Sequence, residues 1–174
     1  MNRQSWTAFF AFAVKVVGLT AAMGVALDLV TAHVAVEYFT IHHPHVVDSE
    51  SPIVMALIWG IGASWWFGLI AAIPLWWANC RRAAPLTQTR IVSMVAKALL
   101  VTWAIMMAML VGFYSIGSLV PDRHRGPNFE HDRRLMAVAL THMTEYVLGA
   151  IVAIVLVVRI LRLRTVVDDG SMGP

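Results

Sequence analysis

The chain has 174 residues, of which 59% are apolar and only 13% are charged, and its mean hydropathy is +0.73. A soluble domain carries about 25% charged residues, so this composition excludes an ordinary soluble domain and predicts an integral membrane protein. The net charge of +3 does not indicate nucleic-acid binding, because the Lys and Arg residues lie between apolar segments and form no basic domain.

Four apolar segments are each long enough to cross a bilayer. A hydrocarbon core about 30 Å thick requires about 20 apolar residues per helix. The predicted spans cover approximately residues 9–40, 53–78, 94–120 and 135–159. They predict an all-α fold, in which residues 1–164 form a single four-helix transmembrane bundle. Residues 165–174 are polar and are predicted to form a short disordered tail.

The cations are distributed unequally between the two sides of this predicted bundle. Nine lie on one side, namely Arg3, Lys15, Arg81, Arg82, Arg90, Lys97, Arg159, Arg162 and Arg164. The other side carries four, namely Arg123, Arg125, Arg133 and Arg134. By the positive-inside rule, both termini are expected in the cytoplasm, and the first and third connections are expected outside. The arginines after the second and fourth spans could also bind anionic lipid, although topology accounts for them more simply.

The first span fits a membrane in two registers. A span over residues 6–27 places Asp28 at the outer surface, whereas a span over residues 16–40 places Asp28 near mid-membrane and Glu37 near the outer interface. The second register is preferred, because the flexible side chain of Lys15 then reaches the inner boundary. The segment also exceeds the usual length of a signal-peptide core, so it is predicted to remain as a spanning helix.

The second span carries small residues at a four-residue spacing, namely Gly60, Ser64, Gly68 and Ala72. Small residues at this spacing share one face of a helix and allow another helix to approach closely. They predict the packing face of this helix. Trp59, Trp65 and Trp66 lie in the same span and are candidates for lining a ligand site, with ordinary packing or lipid contact as the alternative.

All the histidines fall on the side of the bundle that carries fewer cations. They are His33, His42, His43, His45, His124, His131 and His142. In a continuous helix His33 and Glu37, four residues apart, share one face, and so do His142 and Glu145, three apart. If the first and fourth spans are neighbours, these two pairs lie at comparable depth.

This pattern suggests a metal site. His and carboxylate side chains from facing helices are the groups with which helical bundles bind zinc, manganese or iron. The candidate ligands of a divalent metal are Glu37, His43, His142, His33 and Glu145.

The same residues are also compatible with roles that need no divalent metal. The two His–Glu pairs could be internal hydrogen-bonded pairs that reduce one another's cost of burial, or they could handle protons or a quinone. A b-type haem would require one or two axial histidines, and His33 with His142 is the candidate facing pair. Asp28 lies on a different face of its helix from His33 and Glu37, so it requires a separate partner, a buried water or a proton.

Several chemistries are excluded or unsupported by the sequence. Cys80 is the only cysteine, which excludes an internal disulfide, a thiolate metal cluster and a covalently attached c-type haem. The chain also lacks the GxSxG, HExxH and Walker motifs and a glycine-rich dinucleotide turn, so nothing supports a hydrolase, a zinc protease or a nucleotide-binding protein.

The segment after Asp28 contains a distinctive string, with Val36-Glu37-Tyr38-Phe39-Thr40 followed by His43-Pro44 and then Ser51-Pro52 before a tryptophan-rich helix. This pattern resembles a family of small bacterial four-helix integral membrane proteins with no assigned activity. The likeness covers residues 25–78 and reaches the fourth span through His142, Tyr146 and Gly149. It implies the four-helix fold and a location in the bacterial inner membrane, and it supplies no reaction. The family often carries Arg in place of His33 and a small polar residue in place of Glu145.

Two functions from different classes follow. In the first, Asp28, Glu37, His43 and His142 form a polar site on the outer side that takes a divalent metal or a proton. In the second, the protein is an accessory subunit, and the small-residue face of the second span docks onto a larger membrane complex or a second copy.

Overall fold

The computed structural model describes residues 3–163, so the predicted tail at 165–174 lies outside the described residues. Four long helices and one short helix follow in chain order: α1 (Arg3–Val34), α2 (Glu37–Ile41), α3 (Pro52–Cys80), α4 (Gln88–Gly117) and α5 (Phe129–Arg162). A single 3₁₀ turn, Asp122–His124, lies between α4 and α5. The four long helices are each long and apolar enough to cross a membrane, which fits a multi-pass membrane protein. The predicted all-helical class is thereby confirmed.

Local signals explain where three of the long helices begin. Helix α3 starts with Pro52 in its first turn, where the missing N–H of proline costs no hydrogen bond. Helix α4 is capped by Thr87, whose Oγ1 accepts a hydrogen bond from the backbone N–H of Arg90 at 3.3 Å. Helix α5 carries Glu130 and Asp132 in its first turn, where negative charge stabilises a helix N-terminus. These polar turns lengthen α4 and α5 beyond the apolar spans predicted from hydropathy.

The prediction of one continuous helix over residues 9–40 was wrong. Helix α1 ends at Val34, and the chain turns before α2 begins at Glu37. The backbone carbonyl of Val34 accepts a 3.5 Å hydrogen bond from Nη1 of Arg134 on α5. The preferred membrane span of residues 16–40 is therefore not a single helix. The turn contains neither Pro nor Gly, so local sequence does not signal it.

The long helices are arranged so that α1 and α5 face each other across a diagonal. Helix α1 packs against α3 and α4, and α5 packs against the same two helices. We call the end of the bundle with α2 and the 3₁₀ turn the histidine end. The opposite end, with the connection between α3 and α4, is called the basic end.

Helices α1 and α3 approach closely through the predicted small-residue face. A Cβ atom at Gly60 would lie 2.6 Å from the backbone N and Cα of Val25, and one at Gly68 would lie 2.9 Å from the Cα of Val17. Ala72, farther along this face, is fully buried. The face predicted to pack is confirmed as a packing face. Because its partner is α1 of the same chain, it is not free to dock onto another protein, and this support for an accessory subunit is lost.

The basic end contains the largest buried apolar cluster and a connection held by side chains. The cluster includes Phe12, Leu75, Ile91 and Ile160, one from each long helix. The Asn79 side chain makes two hydrogen bonds to the backbone of the α3–α4 connection. Its Nδ2 donates to the Leu86 carbonyl at 3.0 Å, and its Oδ1 accepts from the Leu86 N–H at 2.7 Å.

Arg82 closes the C-terminal end of α5. Its Nη1 donates to the carbonyl oxygens of Ile160, at 2.7 Å, and Leu163, at 2.5 Å. These carbonyls have no partner within the helix, so the arginine satisfies them. Arg82 therefore has a structural role in addition to any effect on membrane orientation.

Candidate functional site

A buried histidine lies between two carboxylates at the histidine end. His142 on α5 is 7% exposed, and Asp28 on α1 is 4% exposed. The Nε2 atom of His142 is 3.7 Å from Oδ1 of Asp28, and its Nδ1 atom is 3.5 Å from Oε2 of Glu145. Thr31 adds a hydroxyl, whose Oγ1 lies 3.2 Å from Nε2 of His142. The partner that the sequence left open for Asp28 is thus His142, across the diagonal of the bundle.

The Thr31 hydroxyl lies between two possible acceptors. Its Oγ1 is 3.2 Å from the backbone carbonyl oxygen of Leu27 and 3.2 Å from Nε2 of His142. When this hydroxyl donates to Leu27, its oxygen can accept a hydrogen bond only from a protonated Nε2. At the other side of the ring, Nδ1 and Oε2 of Glu145 form a hydrogen bond only when one of them carries a proton.

Aromatic rings from α2 cover the imidazole. The Tyr38 ring stacks on the His142 ring with a centroid separation of 4.9 Å and an angle of 13° between planes. Phe39 meets the same imidazole edge-on at 5.6 Å and is itself buried. The turn at the end of α1 is what brings these two rings over His142. A continuous helix would carry them past the bundle.

His43 lies next to this cover and is held in one tautomer. Its Nδ1–H donates to the backbone carbonyl of Tyr38 at 2.9 Å, and its ring lies 4.5 Å from that of Trp59. Burial lowers the pKa of His43 from its ordinary value, and the hydrogen bond to Tyr38 opposes this effect without reversing it. His43 is therefore a neutral imidazole at neutral pH. Burial also raises the pKa of the Tyr38 phenol, as do the nearby Tyr146, Asp28 and Glu145.

A narrow cavity of about 80 Å³ begins at this cluster and follows the bundle axis. Its head is polar, and its lining there includes Asp28, Tyr38, His43, His142, Glu145 and Tyr146. It then passes between all four long helices toward Val16 and Leu156 at the basic end. Asp28 and Val16 are twelve residues apart on α1, so this length corresponds to about 18 Å. Among the described residues, the wall below the polar head contains no titratable side chain, only apolar groups and the hydroxyls of Thr20, Ser64 and Thr102.

Two of the predicted metal ligands lie elsewhere. His33 is exposed, and its Nδ1 is bonded to the Leu29 carbonyl at 2.6 Å, so it does not face His142. Glu37 does turn toward α5, but its Oε1 lies 3.9 Å from Nε2 of His131 near the start of that helix. The shared face predicted for His33 and Glu37 is absent because the helix is interrupted between them.

Without His33 and Glu37 near His142, the ligand arrangements predicted for a metal and for a haem are not formed. Within residues 3–163, no group of three or more His, Cys, Asp or Glu side chains is arranged to hold a metal ion. His33 and His142 do not face each other as axial ligands of a haem would. The structure does bring together the remaining candidates, His43, His142 and Glu145, with Asp28. These four side chains line the head of one cavity.

Sequence reasoning missed the uncharged residues of the site. Thr31 lies three residues after Asp28, which places both on one face of α1, and this spacing could have identified it. Tyr38 and Tyr146 carry no spacing signal of their own. Of the three tryptophans considered, Trp59 lines the cavity. Trp65 and Trp66 are both exposed, and Trp66 stacks on Tyr146 at a centroid separation of 6.3 Å.

No protein-family model matches the chain, and neither a curated protein nor a solved structure is significantly similar to it. The resemblance to small bacterial four-helix membrane proteins therefore stays a prediction.

Proposed function

We propose that this protein is a multi-pass protein of the bacterial inner membrane whose Asp28–His142–Glu145 cluster binds protons and exchanges them with water in the central cavity. The observation that carries the proposal is the position of one buried imidazole with a carboxylate at each of its two nitrogens. By the distribution of cations, both termini lie in the cytoplasm and the histidine end faces outward.

The cluster has the parts that proton transfer requires. An imidazole can accept a proton at one nitrogen and release one from the other, and it titrates near physiological pH when it is unperturbed. The Glu145 side chain is 18% exposed, whereas that of Asp28 is 5% exposed. A proton therefore reaches the cluster through Glu145, passes through the His142 ring and arrives at Asp28.

The cavity favours an exchange site over a transmembrane proton channel. A relay across the bundle would need further titratable groups or a polar path toward the basic end, and the described wall there is apolar apart from three hydroxyls. A proton that enters at Glu145 is instead used at the head of the cavity. A cavity of about 80 Å³ has room for a few water molecules but not for a quinone ring with its tail, so water is the exchange partner that fits.

Infrared difference spectroscopy of the protein in bilayers tests the proton site. The carboxyl stretching band is followed from mildly acidic to mildly alkaline buffer in the wild type, Asp28→Asn, Glu145→Gln and His142→Asn. We expect a titrating band of a protonated, buried carboxyl that disappears in one of the first two variants and shifts in the third. Asp132→Asn is the matched control, because Asp132 is an exposed acid on the same helix as Glu145.

The same spectra separate the two parts of the proposal. Transfer to heavy water should shift the titrating band, because water in the cavity exchanges the carboxyl proton for a deuteron. If no protonated carboxyl titrates, or if all variants give the wild-type spectrum, the cluster is only an internal structural pairing and the proposal fails. A titrating band that heavy water does not shift would retain the proton site and contradict its exchange with water in the cavity.

A further inference from the structure

An open groove lies between α4 and α5 at the basic end, away from the central site. Its volume is about 680 Å³. Three cations border it: Arg90 and Lys97 from α4 and Arg159 from α5. The walls below them are formed by apolar side chains that include Val101, Ile105, Val152 and Val155. The groove thus combines a positive rim with an apolar channel.

The three rim cations have no acidic partner in the part of the chain that the structure describes. Ion pairs in residues 3–163 involve Arg125 and Arg133, both at the histidine end, together with His131 and His142. Two further cations near the basic end are engaged differently. Arg82 binds backbone carbonyls, and Lys15 Nζ donates to Oε1 of Gln88 at 3.3 Å.

The depth of Lys97 along α4 indicates that this cation needs an anionic partner. Lys97 lies nine residues after the start of α4, which corresponds to about 14 Å along the helix axis. It is exposed on the outer surface of the bundle, in a helix apolar enough to cross a membrane. A cation at such a position is costly unless its flexible side chain reaches an anion at the interface. Arg90 is seven residues earlier and therefore on the same face of α4.

We propose that this groove is a binding site for an anionic phospholipid, with the phosphate between Lys97, Arg90 and Arg159 and one acyl chain along the apolar wall. Basic pockets between transmembrane helices are a recurrent way to bind anionic head groups. The site depends on the membrane insertion proposed above, and it is independent of the Asp28–His142–Glu145 cluster. It assigns a role to cations that orientation alone would leave without a partner.

The test must also separate the lipid from negative charge supplied by the chain itself. Residues 168 and 169 are both Asp, and they follow α5 in sequence. They could supply negative charge to the same rim. The test below therefore includes the variant Asp168→Asn/Asp169→Asn.

Native mass spectrometry of the full-length protein in neutral detergent measures the binding. The probes are phosphatidylglycerol, phosphatidylcholine and inorganic phosphate. The wild type should bind phosphatidylglycerol in preference to phosphatidylcholine. Lys97→Gln/Arg159→Gln should weaken phosphatidylglycerol binding by about tenfold or more, because each cation near the head group contributes to attraction. The control Arg81→Gln/Arg123→Gln removes the same charge elsewhere and should leave the affinity within about twofold of the wild type.

Two further variants keep the test decisive if the double substitution unfolds the protein. Lys97→Arg/Arg159→Lys retains the charges and should retain binding. Val155→Trp retains all three cations and blocks the apolar wall at an exposed position, so it should release the lipid.

The remaining outcomes contradict the lipid site. They are equal binding of the two lipids, wild-type affinity in Lys97→Gln/Arg159→Gln, and equally tight binding of inorganic phosphate. A large gain of lipid binding in Asp168→Asn/Asp169→Asn would show that the tail occupies the rim in the native chain, and it would also overturn the proposal.

Discussion

The two ends of the bundle use polar residues in opposite ways. At the histidine end, polar side chains are buried and face one another, as Asp28, His142 and Glu145 do. At the basic end, the buried volume is filled by apolar side chains, and the polar groups bind backbone, as Asn79 and Arg82 do. The difference teaches that apolar packing and backbone contacts hold the basic end together, whereas the histidine end buries ionisable side chains against one another.

A substitution in the small-residue face, through which α1 and α3 pack closely, should have the largest effect on stability. Gly60→Ala places a Cβ atom 2.6 Å from the backbone of Val25, which cannot move aside without separating α1 from α3. We expect the free energy of unfolding in detergent to fall by about 3 kcal/mol. Gly62→Ala is the matched control, because a Cβ there meets nothing within 4 Å. Equal stability of the two variants would show that α1 and α3 do not pack through this face.

A smaller loss is expected from the structural polar groups of the basic end. Asn79→Ala removes both hydrogen bonds to the Leu86 backbone and leaves those backbone groups without this partner. The free energy of unfolding should fall by about 2 kcal/mol, as measured by thermal or denaturant unfolding. Asn128→Ala, at the exposed start of α5, makes no side-chain capping bond and serves as the control. If both variants have the same free energy of unfolding, the hydrogen bonds of Asn79 do not stabilise the basic end.

The histidine end, in contrast, should respond to pH through His43. Its pKa is lowered in the folded protein, so the unfolded chain takes up a proton first as the pH falls. The contribution to stability is therefore complete above about pH 6.5, the ordinary value for histidine, and is lost below it. His43→Gln should flatten this dependence of the unfolding temperature, and His42→Gln, at an exposed position, should not. An unchanged slope in His43→Gln would assign the pH dependence to another group.

The smallest effect is expected at Glu37, which the sequence placed among the metal ligands. Its contact with His131 is 3.9 Å long and partly exposed, and such pairs contribute less than about 1 kcal/mol. Glu37→Gln should therefore change the unfolding free energy by at most about 0.5 kcal/mol and leave the infrared band of the buried cluster unaltered. Loss of that band in Glu37→Gln would show that Glu37 belongs to the buried cluster and would contradict this prediction.

The fold was predictable from sequence to the extent that it depends on local patterns. Four long apolar segments predicted the four long helices, and the small residues from Gly60 to Ala72 predicted the packing face of α3, because both follow from composition and helical spacing. The turn after Val34 was not predictable. It involves a hydrogen bond from Arg134, one hundred residues away in sequence, and the packing of Phe39.

The candidate site was predictable only in part for the same reason. His43, His142, Glu145 and Asp28 were identified because buried ionisable groups are rare in apolar spans. Their pairing was not, since it depends on α1 and α5 lying across a diagonal. His33 was misplaced because its predicted face assumed a continuous helix. Thr31 was missed although its three-residue spacing from Asp28 places both on one face of α1.

The central claim is that His142 exchanges a proton between two carboxylates, and the nitrogen chemical shifts of its ring test this most directly. They are measured in bilayers on protein labelled with nitrogen-15 histidine, with His142→Asn to assign the signals. We expect a proton on Nε2, which donates to Thr31, and a pH-dependent signal at Nδ1 that Glu145→Gln alters. An imidazole protonated only at Nδ1, or one whose signals change neither with pH nor in Glu145→Gln, would contradict the claim.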